Sequence, residues 1–215
     1  MVACLRSNAQ NDNDIGSWNA LVLKWTINEK FKFFSEAQLR SYSYYNRFYY
    51  YDWKTSITYS FTKWFGFATG LAVYNNYQTT GNFVKPSTLK EFRIYEEVAF
   101  KYSFSRFNFI NRYRVDERFT TIGYRTRFRP RLGLILPVNH QKLIPKTFFL
   151  SLYDEMFISD KFEKNRYFLG VGYKFGTVSV LTGLVHDNNI TSKEIKNYHL
   201  ISLTFDLANQ EYEAF

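Results

Sequence analysis

Arg112, Arg114, Asp116 and Arg118 alternate with Tyr113, Val115 and Glu117, and a few residues later Arg125, Arg127, Arg129 and Arg131 alternate with Thr126, Phe128 and Pro130. A period of two places each set of charges on one face of a β-strand and the mostly apolar remainder on the other. A soluble sandwich buries the apolar face and wets the charged one. A transmembrane barrel does the reverse, turning apolar side chains to lipid and charges into the lumen.

Strand length favours the barrel. Eleven strand-type segments run at about 17–27, 31–42, 47–61, 64–77, 90–104, 106–119, 124–137, 146–158, 164–175, 177–187 and 197–207. Most exceed the roughly 9–11 residues that cross a bilayer, whereas soluble strands cluster near 5–6. No segment carries a 3.6-residue apolar period, so essentially no helix is expected. No stretch approaches the roughly 18 apolar residues of a membrane helix. Aromatic residues make up 21% of the 215, with 18 Tyr and 23 Phe, which argues against disorder. They concentrate near strand ends, as interfacial girdles require.

The facing pattern recurs from strand to strand. Phe92, Ile94, Val98, Phe100, Tyr102 and Phe104 oppose Glu91, Arg93, Tyr95, Glu97, Lys101 and Ser103, and Tyr49, Tyr51, Trp53 and Ile57 oppose Asp52, Lys54, Ser56 and Thr58. The inward set holds about fifteen cations against about seven anions. That difference accounts for almost all of the formal +9. The basic excess therefore belongs to a lumen, lined by Glu36, Arg40, Arg93, Glu97, Arg112, Arg114, Asp116, Arg118, Arg125, Arg127, Arg129, Arg131, Glu155 and Arg166.

These patterns predict an all-β, antiparallel, up-and-down transmembrane β-barrel over 17–207, with a residual signal or disordered segment at 1–16 and a tail at 208–215. Bacterial single-chain barrels have even strand counts, so ten or twelve strands are expected rather than eleven. Connections alternate between tight turns (28–30, 62–63, 105, 176) and longer polar ones (77–89, 119–123, 159–163, 188–196), with 138–145 as an exception. Pro130 inside a strand predicts a bulge. Glu96, Glu117 and Asp154 fall in the lipid-facing register, near interfaces or at further bulges. Ser7-Asn8-Ala9 has the small-x-small form of a signal-cleavage site. The single cysteine, Cys4, excludes an internal disulfide or multi-cysteine metal site.

Ser17-Trp18-Asn19, Ser35–Arg40, Asn111–Phe119, Tyr124–Arg127, Tyr153-Asp154-Glu155 and Asn165–Tyr173 carry a likeness to a family. Through them the chain resembles the bacterial domain of unknown function 2490, which belongs among predicted outer-membrane β-barrels. The resemblance spans about 17–207 and implies an outer-membrane location. It implies no activity, substrate or catalytic residue.

For the arginine ladders three readings stand. They form a salt-bridged lattice filling a narrow lumen, an anion-preferring passage, or a site for an acidic headgroup or polysaccharide. The expected function is a small anion-preferring channel or a structural or accessory envelope component in contact with outer-membrane lipid. The alternative is a membrane-embedded lipid hydrolase or acyltransferase built on His186 or His199, with Asp187 and serines nearby. Nucleic acid is excluded as a partner on the ground that strand faces are segregated and aromatics do not alternate within the charged face. No Gly-rich phosphate loop or metal-ligand spacing appears, so neither cofactor nor metal is expected.

Overall fold

In a computed structural model, which describes residues 15–208, the chain forms eleven strands: β1 Gly16–Thr26, β2 Phe31–Ser43, β3 Asn46–Ser60, β4 Phe65–Gln78, β5 Val84–Phe104, β6 Phe107–Thr120, β7 Gly123–Pro137, β8 Thr147–Ile158, β9 Phe162–Lys174, β10 Val178–Asn189 and β11 Glu194–Ala208. The Ser7-Asn8-Ala9 pattern, Cys4 and the residues after 208 lie outside the described residues.

Each strand pairs with its sequence neighbours in antiparallel fashion, and the sheet closes on itself. The strand count stays at eleven, contrary to the even number expected. An even count is required only when the last pair is antiparallel. Here β1 and β11 run parallel, in register from Gly16↔Tyr198 to Thr26↔Ala208. A parallel ladder satisfies both remaining edges, so no strand need be added or lost.

Apart from 138–146, the connections have two to five residues at both rims, which corrects the expected contrast between tight and long ones. One rim, called the upper rim, carries turns 44–45, 79–83, 121–122, 159–161 and 190–193. The lower rim carries 27–30, 61–64, 105–106, 138–146 and 175–177. Polar residues assigned to long loops are hydrogen-bonded strand instead. β5 begins at Val84, with Val84 and Leu89 already paired to β4, and Asn188 and Asn189 pair with Ile195 and Glu194. The longest connection, 138–146, lies at the lower rim.

The expected bulge at Pro130 is absent. Phe128↔Ile158 and Arg131↔Glu155 share one register, so the β7–β8 ladder is interrupted at Pro130 without slipping. A proline removes a donor but adds no residue. Register shifts occur instead at Arg40/Ser41, Asn76/Gln78 and Phe157/Ile158, all toward the upper rim. The first leaves Tyr49 between two paired residues. That turns its ring from the expected outer face inward, where its hydroxyl lies 2.6 Å from that of Tyr198.

The outer wall is apolar over most of its height. Leu169, Leu132 and Leu184 are 57%, 51% and 60% exposed, and Leu21, Ile57, Leu71 and Val171 are exposed beside them. Aromatic residues cluster at both margins: Tyr44, Tyr45, Phe119 and Tyr124 above, Phe61, Trp64, Tyr102, Phe104 and Phe175 below. Glu96 and Glu117 stand on this outer face, whereas Asp154 is half-buried against it.

Candidate functional site

The interior is where the chemistry lies. Strand pairing alone sets guanidinium against guanidinium: Arg114 faces Arg129, Arg112 faces Arg131, and Arg118 faces both Arg93 and Arg125. Like charges directly across a sheet repel. The repulsion is relieved by carboxylates that reach in diagonally or from across the barrel.

Glu155 is the hub, at 0% exposure. Arg129 and Arg131 each donate to it from Nη2 at 2.9 Å, Arg112 pairs with it more closely, and Arg166 Nη1 stands 3.7 Å away. Asp116, also 0% exposed, accepts from Arg93 Nη1 and Arg129 Nη1, both at 3.1 Å. Glu91 accepts from Arg118 through Nε at 2.5 Å and Nη2 at 3.0 Å, and also from Arg93. Glu97 takes both Nε and Nη2 of Arg114, at 2.8 and 2.6 Å, with Arg112 Nε at 3.5 Å. Arg166 grips Asp187 with Nε at 2.5 Å and Nη2 at 2.8 Å. Shared forks of this kind fix both partners' orientation.

On the opposite wall, Lys54 bridges Glu36 at 3.2 Å and Asp52 at 3.6 Å. Gln38 links Glu36 to Arg40, whose Nη2 donates to it at 2.7 Å. Arg127 pairs with Glu163 at 2.7 Å toward the upper rim. Arg125 is exposed at the same rim and has no ion pair among the described residues.

Aromatic rings interleave with these charges inside the barrel. This corrects the expectation of a charged face free of aromatics. The guanidinium carbon of Arg40 lies 3.4 Å from the Trp18 ring centroid and 4.2 Å from that of Tyr50; Arg93 covers Tyr74 at 3.7 Å, Arg114 covers Tyr95 at 4.1 Å, and Arg131 covers Tyr153 at 4.3 Å. Desolvated cation–π contacts of this type contribute about 2 kcal/mol each. Phe168, Val185, Tyr198 and Leu200 pack with Trp18 into an inner apolar cluster. Glycines make room for such rings: a Cβ on Gly172 would stand 2.2 Å from Phe149.

Asp52 and Glu91 join the network from the inward faces expected for them, whereas Glu163, Lys164 and Asp187 belong to it without having been assigned inward. Asp52 and Glu91 share the inward parity of their strands. Glu163 was assigned to a loop that is strand. Asp187 follows from the tight turn at 175–177, which sets it opposite Arg166. Because Asp187 points inward to Arg166, it does not orient His186.

The histidines lie elsewhere. On the outer wall, His186 Nδ1 is 2.8 Å from Asn197 Oδ1, and His199 Nε2 is 2.8 Å from Thr182 Oγ1, with Nδ1 3.4 Å from the Tyr44 hydroxyl. His140 Nδ1 contacts Thr147 Oγ1 at 3.0 Å. Among the described residues no group of three or more His, Cys, Asp or Glu is arranged to hold a metal.

Two cavities flank the network. The upper one, about 530 Å³, is bounded by Arg40, Arg93, Arg127, Arg129 and Lys164. The lower one, about 540 Å³, is bounded by Lys24, Lys32, Lys101, Arg112 and Asp206. Arg131 borders both. The lumen is thus two basic vestibules separated by a waist of paired charge.

Among solved structures, the chain is similar in fold to LpxR from Salmonella typhimurium, with a TM-score of 0.53 over 82% of this chain and 83% of that one, at 8% sequence identity. No curated protein matches it in sequence. A model of proteins of unknown function matches residues 15–198, and the chain belongs to that family, DUF2490.

Proposed function

We propose that this protein is an outer-membrane barrel whose lumen is plugged by paired charge, leaving at most a narrow, anion-preferring path. The observation that carries the reading is the waist. Glu155 and Asp116 are each enclosed by guanidinium groups, while both vestibules keep an excess of cations. An anion entering either side meets attraction and a cation meets repulsion. The waist itself leaves little room, because inward side chains occupy most of a barrel of this size.

The exposed apolar wall with aromatic margins supports placement in a bilayer. Contiguous apolar surface of this extent is rare on soluble monomers, and the arrangement matches the lipid-facing band of outer-membrane barrels. Likeness of fold to LpxR supports the same placement. A role as a structural or accessory envelope component is compatible with the same plug and differs only in conductance.

Planar-bilayer recording on the purified barrel tests the proposal. Small anion-selective currents are expected. Arg127→Glu, which places an acid beside Glu163 at the upper mouth, is expected to weaken that selectivity. Large, steady, cation-selective conductance would refute both the plug and its sign.

A further inference from the structure

We infer that the outer wall at the β1–β11 seam carries a binding site for one bilayer glycerolipid, with an acyl chain in an apolar hollow and its ester carbonyls at a neutral polar cap above. The inference rests on the bilayer placement proposed above and is independent of the charged lumen.

A shallow hollow of about 400 Å³ crosses the seam on the outer face. Strand register accounts for it. Asn19 pairs with Leu39 on one side and Ile201 on the other, and Leu21 pairs with Ala37 and Leu203, so all six side chains share the outer face and line the hollow. Ala37 also pairs with Trp53. Its single methyl group, set between Leu21 and Trp53, leaves the wall low at that point. Under the proposed placement this surface belongs to the lipid-facing band, so hydrocarbon covers it. A flexible acyl chain can follow such a groove. A second copy of the chain fits it poorly, because two-fold pairing would set the hollow against itself.

The upper end of the hollow distinguishes it from the rest of the wall. The turn Tyr44-Tyr45 folds down over the outer face there. Tyr45 donates through its hydroxyl to Asn19 Oδ1 at 2.9 Å, and the Tyr44 ring stacks on that of His199 with centroids 5.9 Å apart. Thr182 Oγ1 holds His199 Nε2 at 2.8 Å, which leaves Nδ1 facing the Tyr44 hydroxyl at 3.4 Å, longer than a well-formed bond. The Asn19 oxygen is taken by Tyr45, while its amide nitrogen has no hydrogen-bond partner among the described residues. Spare polar capacity therefore gathers at the head of an apolar groove. The cap of Asn19, Tyr44, Tyr45, Thr182 and His199 includes no carboxylate, ammonium or guanidinium group. Such donors suit neutral acceptor oxygens, which a glycerolipid carries as ester carbonyls where its acyl chains begin. Asn19 lies about 10 Å along β1 from its upper end, at about 3.3 Å per residue, so these donors stand below the rim and within reach of that level of the bilayer.

The test is native mass spectrometry on the full barrel released from detergent. Palmitoyl-oleoyl phosphatidylethanolamine is the probe, and its dialkyl-ether analogue, which lacks the ester carbonyls, is the comparator. A saturable adduct of one lipid per barrel is expected, with the ether lipid about two- to tenfold weaker, the worth of one neutral hydrogen bond. Ala37→Trp fills the hollow and should weaken both lipids by about tenfold or more. Asn19→Ala should weaken the ester lipid to the level of the ether lipid and leave the ether lipid unchanged. Should Ala37→Trp fail to fold, judged by loss of heat-modifiable mobility, Asn19→Ala with the two lipids carries the test. Absence of a saturable adduct, equal affinity for ester and ether lipids, or an unchanged adduct in a folded Ala37→Trp or in Asn19→Ala would overturn the inference. A dimer that Ala37→Trp breaks would give the hollow to a second copy and overturn it as well. Placement is read separately. A membrane-embedded barrel without the adduct removes this site alone, and a chain recovered in the soluble fraction without detergent removes the placement proposed above.

Discussion

Glu155→Gln removes one negative charge from the centre of the plug and keeps its shape, so no cavity is created. Arg112, Arg129, Arg131 and Arg166 all face that carboxylate. Three of them keep another acid: Arg112 has Glu97, Arg129 has Asp116 and Arg166 has Asp187. Arg131 has no other ion pair among the described residues. The variant therefore strands the half-buried Arg131 guanidinium and restores repulsion among four. Breaking a buried pair by removing one partner costs about 3–5 kcal/mol. Because Gln still accepts one hydrogen bond, the lower end, about 3 kcal/mol, is expected. Equilibrium unfolding by urea in detergent, followed by heat-modifiable mobility on gels, measures it. Glu163→Gln, which breaks the single ion pair of a partly exposed carboxylate with Arg127 at the upper rim, serves as the comparison and should cost less. Adding Arg131→Gln to Glu155→Gln should return part of the loss, as coupled sites do. A Glu155→Gln variant no less stable than Glu163→Gln, or a double variant worse than the sum, would refute the hub role.

Leu169→Arg, on the outer wall between Leu152 and Leu184, should cost about 2–4 kcal/mol in lipid vesicles and far less in a soluble reference, measured by folding titration. Gly70→Ala should destabilise by about 1–3 kcal/mol, because the added Cβ would stand 2.4 Å from the buried Tyr95 ring and 2.3 Å from the Thr55 carbonyl oxygen; an unchanged unfolding midpoint would contradict this packing. The purified barrel is expected to release no fatty acid from phospholipid. Release that disappears in a His186→Ala, His199→Ala double variant would instead establish the hydrolase alternative.

Strand positions and facing were open to reading because both are local. A run such as Arg125–Arg131 fixes its own two faces, and the tight turns at 105–106 and 175–177 fix which residues oppose one another in neighbouring strands. Tyr49 escaped that reading because its bulge depends on how β2 and β3 accommodate one another, not on either strand alone. The interior aromatics escaped it because Tyr74, Phe157 and Phe168 carry no mark of facing inward beyond parity, and an aromatic ring suits either lipid or a guanidinium.

The alternation of charged and apolar residues by itself determined an all-β chain with one polar and one apolar surface, since the side-chain period of a strand is set by its backbone. Only the tertiary structure decided how that sheet closes and which acid meets which arginine. The parallel β1–β11 seam joins residues nearly the whole chain apart. Glu155 reaches Arg112, 43 residues away, across β7, because closure curls β6 and β8 toward a common axis. Those pairings follow from the curvature and stagger of the whole barrel, which no single strand encodes.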